Sequence, residues 1–419
     1  MQTQQLPLHY PARVKPFEHL PHKQWWLKLL EGVTQTHIQP QAKDYQNMMQ
    51  ALWQGDALMD EVVQWILQDN VPARRKLFMQ ALEQGTATIE NCPAVLEQFF
   101  QQVEAVPHWV DETLLEEAVR FIQATGENAQ IVLRDAALMG GYLLAAFNQV
   151  LIKTGALNKG AAQRLAETTR WWMDCTAQQG WKRQAAGWKS TLHVRFIHAM
   201  VRHYLSKRED WNNEDMGLPI CQLDMAATNL AFSALFLTGL RSLGIFATAQ
   251  EAKAVMHLWK YMGWLMGIDE AWLYDTEKQG LIALYQMQFM HPEPDWTCQE
   301  LGKALSLEPL ERQYRYFGEW QQKMDYFKHL SYSRYFLLAS GKKSMRQLGL
   351  PDNIPALYPL LSLPYNLIYF NTRWLTNKKL SPQQIVRGRR AQHNALARYG
   401  EHGKTLLKAT SAHPANRMA

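Results

Sequence analysis

Apolar residues recur three and four positions apart along nearly the whole chain, and no run of alternating, β-branched residues bounded by turn residues interrupts them. That period gathers apolar side chains into one stripe of a helix and leaves nothing that would sit as a half-buried strand. The chain is therefore expected to be all-α. At 419 residues, 47% of them hydrophobic, it has material for one large core or two moderate ones.

Charge and composition narrow the function classes. The 44 basic and 38 acidic side chains leave a net charge of +6, too small and too scattered to argue for nucleic acid. Only the tail from Arg387 to Lys408 is visibly basic. Sixteen Trp, sixteen Tyr, fifteen Phe and eighteen Met make an aromatic, soft interior. Such an interior suits a large apolar guest, or is simply a large core. Cys92, Cys175, Cys221 and Cys298 lie far apart with no CxxC spacing, which fits a reducing compartment better than a disulfide framework or a zinc knuckle. The opening MQTQQLPLHYPARVKP has neither an apolar signal core nor twin arginines, so the expected location is the cytoplasm.

Punctuation suggests three segments. Residues 1–106 form an irregular arm to about Pro21 and then short helices: HKQWWLKLLEGV, Tyr45 to Trp53, MDEVVQWILQ and PARRKLFMQALEQ. Residues 107–345 carry longer helices, the first capped by Asp111, then at about 129–154, 159–178, 184–206, 220–243, 247–265 and 271–290. Residues 346–419 hold a charge-free stretch, NIPALYPLLSLPYNLIYFNT, and an amphipathic basic tail. Pro355, Pro359 and Pro364 are expected to break that stretch as a spanning helix, leaving peripheral membrane contact as its other use.

The stretch TLHVRFIHAMVRHYL, residues 191–205, holds three histidines and two arginines in a helix that otherwise looks buried. At about 100° per residue, Val194, Val201 and Leu205 fall within about 60° of His198 on one side, and Arg195 and Arg202 on the other. His193 and His203 point about 140° away, so the three imidazoles form no metal cluster. His198 is left alone on a face apolar along one edge and cationic along the other. A haem would need such a face: an axial nitrogen, an apolar wall and guanidinium forks for two propionates. A core histidine beside two snorkelling arginines has the same pattern.

Two neighbouring helices bear on the choice. In GAAQRLAETTRWWMDC, Arg164, Glu167, Thr168 and Trp171 share one face, as a solvated edge or as a polar lid over a pocket. In CQLDMAATNLAFSALFLTGLRSLG, Asp224 and Thr228 are one turn apart and Phe232 and Leu235 continue their face. Asp224 is also placed where the helix dipole favours a carboxylate.

The combination RLAET, VRFIHAMVRHYL and QLDMAATNLAF, in this order and at these intervals, resembles the rubber-oxygenase (latex-clearing protein) and MpaB-type oxygenase family over roughly Pro107 to Met290. The resemblance implies a globin-like helical core with haem b. It implies His198 as the iron ligand, Arg195 supporting the haem or its pocket, Arg164 and Thr168 on the distal side, and Thr228 lining the cavity. Arg202 joins Arg195 as a charged flank. Glu167 stands where the rubber-cleaving members carry a lysine, and no carboxylate lies between Leu138 and Ile152 where they are thought to place a base. Glu167 is then the candidate proton acceptor.

The function this implies is dioxygen-dependent oxidation or cleavage of a carbon-carbon double bond in an apolar, isoprenoid or lipid-like substrate. A haem protein that only carries or senses oxygen, and a cofactor-free interaction protein, are the rival readings.

Overall fold

The computed structural model describes residues 11–20, 31, 36–155, 160–337, 341–376 and 380–400, and every regular element among them is helical. The accessory helices are α1 (Ala42–Ala51), α2 (Ala57–Gln68), α3 (Val71–Gln84) and α4 (Ala94–Glu104). Asp56 caps α2 by accepting from Met59 N, and Asn70 caps α3 by accepting from Ala73 N. The expected HKQWWLKLLEGV helix lies outside the described residues apart from Glu31, as does the tail beyond residue 400.

The central segment starts with α5 (Glu112–Ala124), capped by Asp111 as its position predicts. The single helix expected at 129–154 is instead a broken one. It comprises α6 (Glu127–Ile131), a π-helical segment at Val132–Leu138, a last helical turn to Gly141, and, after a 95° bend at Tyr142 to Leu144, α7 (Ala145–Lys153). The wide π turn brings the consecutive charged residues Arg134 and Asp135 both indoors, at 4% and 0% exposure. Arg134 meets Glu308 at 3.1 Å and Asp135 meets His329 at 2.6 Å.

Next come α8 (Ala161–Cys175), α9 (Ala186–Leu205), α10 (Gln222–Phe232), α11 (Ala234–Ser242), α12 (Ala249–Leu265) and α13 (Glu277–Met287). The helix expected at 220–243 is split at Ser233, whose hydroxyl donates to Asn229 O at 3.2 Å and whose ψ of −86° leaves the helical region. Although the run from Gln222 to Ser242 is long and apolar enough to cross a membrane, 67% of its apolar window is buried inside the protein. It is a core element.

The last elements are α14 (Trp296–Leu307), α15 (Gly318–Phe336), α16 (Gly341–Gln347), α17 (Leu357–Thr376) and α18 (Pro382–Ala397). Here α17 corrects an expectation, because the proline-punctuated stretch forms one continuous helix through Pro364. Pro355 precedes it, and Pro359 falls in its first turn, where the backbone N–H has no intrahelical partner to lose. Pro364 alone is interior, and it is exposed.

One apolar cluster runs from Val14 and Leu20 through the accessory and central helices to Phe370 and Leu396. Within it α12 packs along α5, and α9 is held between α8 on one side and α2, α3 and α12 on the other. A second cluster joins Met139, Tyr142 and Leu165 to α14, α15 and α16.

Candidate functional site

The hairpin of α8 and α9 is the scaffold of the site. A Cβ at Gly187 would stand 2.6 Å from the carbonyl oxygens of Asp174 and Gly180, so only glycine lets the start of α9 come this close to the end of α8. One turn on, Thr191 Oγ1 donates to Gly187 O at 2.7 Å and accepts from Trp171 Nε1 at 3.0 Å. Trp171 then reaches two further helices, with its ring centroid 5.3 Å from Phe232 of α10 and 5.6 Å from Trp259 of α12. Three sequence stripes therefore meet at one indole. Thr168 and Arg164 stand one and two turns before Trp171 on α8, and Val194 and His198 one and two turns after Thr191 on α9. Thr228 lies one turn before Phe232 on α10.

In the middle of the mostly buried α9, Val194, Ile197, His198 and Val201 keep accessible surface, while Leu192, Phe196, Ala199 and Met200 are buried. Burial, helped by the nearby Arg202 charge, pushes the His198 imidazole down to about 4, so the ring is neutral at physiological pH. Its Nδ1 is sealed from solvent and has no hydrogen-bond partner. The accessible surface of His198 is therefore not at Nδ1. His193 faces the other way, with both ring nitrogens sealed and unpartnered and its pKa lowered to about 4 by burial. His203 lies near the surface beside Lys207, its Nε2 2.9 Å from Nζ.

Both arginines flanking His198 are ion-paired inside the protein. Arg195 donates through Nε and Nη2 to the two oxygens of Asp56, at 2.6 and 2.7 Å, and through Nη1 to Leu265 O. Phe99 lies under its guanidinium at 5.3 Å. Arg202 forks onto Asp60 at 2.9–3.0 Å and gives Nη1 to Ile220 O. A Cβ at Gly267 would come 2.3 Å from Asp56 Oδ2, and the residue's φ is +88°, so a glycine is needed where this chain segment crosses the Arg195–Asp56 pair. The cationic edge expected beside His198 is thus neutralised by two carboxylates four residues apart on α2. The acids in GDALMDE are the signal that could have shown this; nothing in their spacing says which cations they meet.

On α8, Arg164 and Glu167 are half-buried and Thr168 is exposed. Glu167 Oε1 accepts from Gln163 Nε2 at 2.9 Å, one turn back on the same helix. Thr228 is exposed on α10, its hydroxyl donating to Asp224 O at 2.8 Å. Asp224 has a larger task than favouring a dipole. Its carboxylate takes both arms of Arg13, at 2.7 and 3.1 Å, while Arg13 also donates to Met216 O and Met290 O. Burial opposes charge on Asp224, but Arg13 overcomes this and holds its pKa below the usual value.

One unforeseen cation is Arg334. It lies on the stripe of α15 that carries Tyr326, Leu330 and Leu337 into the second cluster, and its Nη1 is buried with no hydrogen-bond partner. No group of three or more His, Cys, Asp or Glu side chains among the described residues is arranged to hold a metal ion. A single axial histidine does not require such a group.

Comparison with known proteins places this arrangement in a family. Residues 124–381 match the family described as "ER-bound oxygenase mpaB/B'/Rubber oxygenase, catalytic domain". The rubber oxygenase of Streptomyces sp. (strain K30) is 22% identical over 211 residues, which cover 49% of this chain. The match spans about half of that relative, 51% of its length. The solved structure of latex clearing protein in its closed state superposes with a TM-score of 0.64 over 83% of this chain and 91% of that one, at 18% identity. That likeness establishes a shared all-helical fold. With the family match covering the α8–α9–α10 site in full, the chain belongs to the MpaB and rubber-oxygenase catalytic-domain family.

Proposed function

We propose that the chain is a haem b-dependent oxygenase that uses dioxygen to oxidise or cleave a carbon-carbon double bond of an apolar, isoprenoid or lipid-like substrate. The observation that carries this reading is His198, sealed and unpartnered at Nδ1 yet keeping accessible surface in the middle of a mostly buried helix. With Nδ1 closed off, Nε2 is the ring nitrogen that would hold a haem iron. Bound haem would supply the redox chemistry that activates dioxygen, which side chains alone do not.

The protein's part is placement. Arg195 and Arg202, held by Asp56 and Asp60, fix the rotation of α9 and so aim His198; they serve the cofactor through the helix. Val194, Ile197 and Val201 would give haem an apolar wall. Arg334, with an unspent N–H, is a cation that would suit a propionate. Arg164 and Thr168 would offer N–H and O–H donors to dioxygen, and Thr228 would line the cavity. Glu167 has one oxygen engaged by Gln163 and the other available to take a proton. Four unpaired thiols agree with a cytoplasmic setting, and an apolar substrate would reach the site from a membrane.

The deciding experiment is the visible spectrum of the purified, haem-reconstituted protein beside its His198→Ala variant. A Soret band in the first and its loss in the second is the expected result; no haem absorbance in either ends the proposal. The second reading, an oxygen carrier or sensor without turnover, is favoured by the lack of any carboxylate between Leu138 and Ile152. Single-turnover oxygen consumption with unsaturated lipids separates the two.

A further inference from the structure

The helix α17 is apolar on its outer side as well as on the inner side, where Phe370 joins the core. Its buried positions include Asn366, 2% exposed, and Arg373, whose guanidinium is paired with Glu251. Asn366 Nδ2 donates to Leu243 O at 3.0 Å and Arg373 Nη2 to Glu251 Oε2 at 2.8 Å, so polar bonds fasten the helix to the protein. Its outer stripe is apolar: Leu357, Leu360, Leu361, Tyr365 and Ile368 stand at three- and four-residue spacing, Leu361 and Ile368 being 65% and 67% exposed. The outer face of a surface helix in a soluble protein is ordinarily polar, and a continuous apolar stripe of this kind marks a surface that meets something apolar.

The stripe is extended at both ends. On α15, Trp320 and Met324 are exposed on the face where, one turn later, the ring of Phe327 packs 6.0 Å from Tyr358 of α17. Beyond the other end, α18 is tied on by Gln384 Nε2, which donates to Tyr369 O at 3.2 Å, and presents Val386 at 66% exposure. Arg387 and Arg390 follow it, exposed and in no ion pair among the described residues.

Charge selects the occupant. Between Asn353 and Thr372 no residue is charged, and over residues 341–400 there are ten Lys and Arg against the single acid Asp352. A second copy seated on this face would bring the same cations against it, with no acid on α17 or α18 to meet them. An anionic bilayer surface supplies both what the stripe lacks, hydrocarbon for the leucines and negative headgroups for the arginines. We propose that α17 lies in the plane of an anionic membrane with Leu357, Leu360, Leu361, Tyr365 and Ile368 in the acyl boundary, and that Arg387 and Arg390 of α18 engage the headgroups. This deepens, and rests on, the membrane-side delivery of substrate proposed above, but it does not depend on the haem.

The test is co-sedimentation of the full chain with phosphatidylcholine vesicles and with vesicles containing phosphatidylglycerol, at low and high salt. The protein is used with and without reconstituted haem, so that failure of the cofactor reading is scored separately. Binding to the anionic vesicles is expected to exceed binding to the neutral ones at least tenfold and to weaken as salt rises. Leu361→Glu with Ile368→Glu should lower it at least tenfold, and Arg387→Glu with Arg390→Glu should remove the preference for anionic lipid. Both pairs are surface changes, so circular dichroism and the unfolding midpoint should match the parent. Equal or absent binding to the two vesicle types overturns the proposal. So does unchanged binding by the Leu361/Ile368 variant, or a soluble dimer that this variant dissociates.

Discussion

The arginines and the histidines of α9 are treated in opposite ways. Toward α2, Arg195 and Arg202 are buried and each is matched with a carboxylate and a backbone carbonyl. His198, beside them, and His193, which faces the other way, instead have sealed ring nitrogens with no partner. Buried polar groups in a finished core are almost always bonded. The completed bonds therefore set where the helix sits, and of the two histidines left incomplete only His198 keeps accessible surface. The arginines attract attention in the sequence, yet they have little left to offer a ligand.

This contrast can be broken at either side. The largest effect is expected at Asp56. Asp56→Ala leaves the Arg195 guanidinium buried without its counter-charge and also removes the cap of α2, so stability should fall by about 3–5 kcal/mol in urea unfolding. If Asp56→Ala unfolds with the midpoint of the parent, the matched side is not what fixes α9. Replacing both partners with apolar residues, Arg195→Met with Asp56→Leu, should recover most of the loss.

Among the histidines, His198→Ala should weaken haem binding by roughly a hundredfold, about 2.7 kcal/mol, with partial rescue by added imidazole. The same change should shift the unfolding midpoint of the haem-free protein little, because no hydrogen bond is lost. A large loss of stability without any haem effect would make His198 an ordinary core residue.

His193 provides a control of intermediate size. Its folded pKa of about 4 lies below the unfolded value of about 6.5, so the unfolded chain binds the extra proton first as pH falls. Its contribution to stability is present above about pH 6.5 and is lost progressively toward pH 4. Over pH 7 to 5 this amounts to roughly 2 kcal/mol. His193→Phe, beside Phe196, should flatten that part of the acid-unfolding profile; an unchanged slope would show that the ring does not titrate as its burial requires.

The smallest effect belongs to Asp60→Ala. The Asp60 side chain is 38% exposed, and Arg202 keeps its bond to Ile220 O, so a loss of about 1 kcal/mol is expected. A loss as large as that at Asp56 would mean that the two pairs act as one unit.

The helical class and the central helices were legible because a 3.6-residue period survives in sequence. The different directions in which His193, His198 and His203 face were legible for the same reason, since facing directions follow from that period. The departures share another cause. The π segment, the split at Ser233 and the fate of Arg195 and Arg202 all depend on partners far along the chain: Glu308 and His329 for Arg134 and Asp135, and Asp56 and Asp60 for the arginines. Periodicity shows which way a side chain points and is silent about what waits there. For α17 the prolines were weighed by their presence, whereas their cost is set by position: Pro359 in the first turn gives up nothing, and Pro364 faces outward.

The clamp between Arg13 and Asp224 bears on the order in which the molecule is finished. Arg13 leaves the ribosome 211 residues before the carboxylate that receives both its arms. Throughout that interval the arm has no partner in α10, and the Met216 and Met290 carbonyls it also holds are missing too. Arg13 is thus made early and secured late, when it fastens the start of the helix that bears Thr228. A bulky fusion placed close before Arg13 should therefore slow the final stage of folding while leaving the early helices to form at their usual pace.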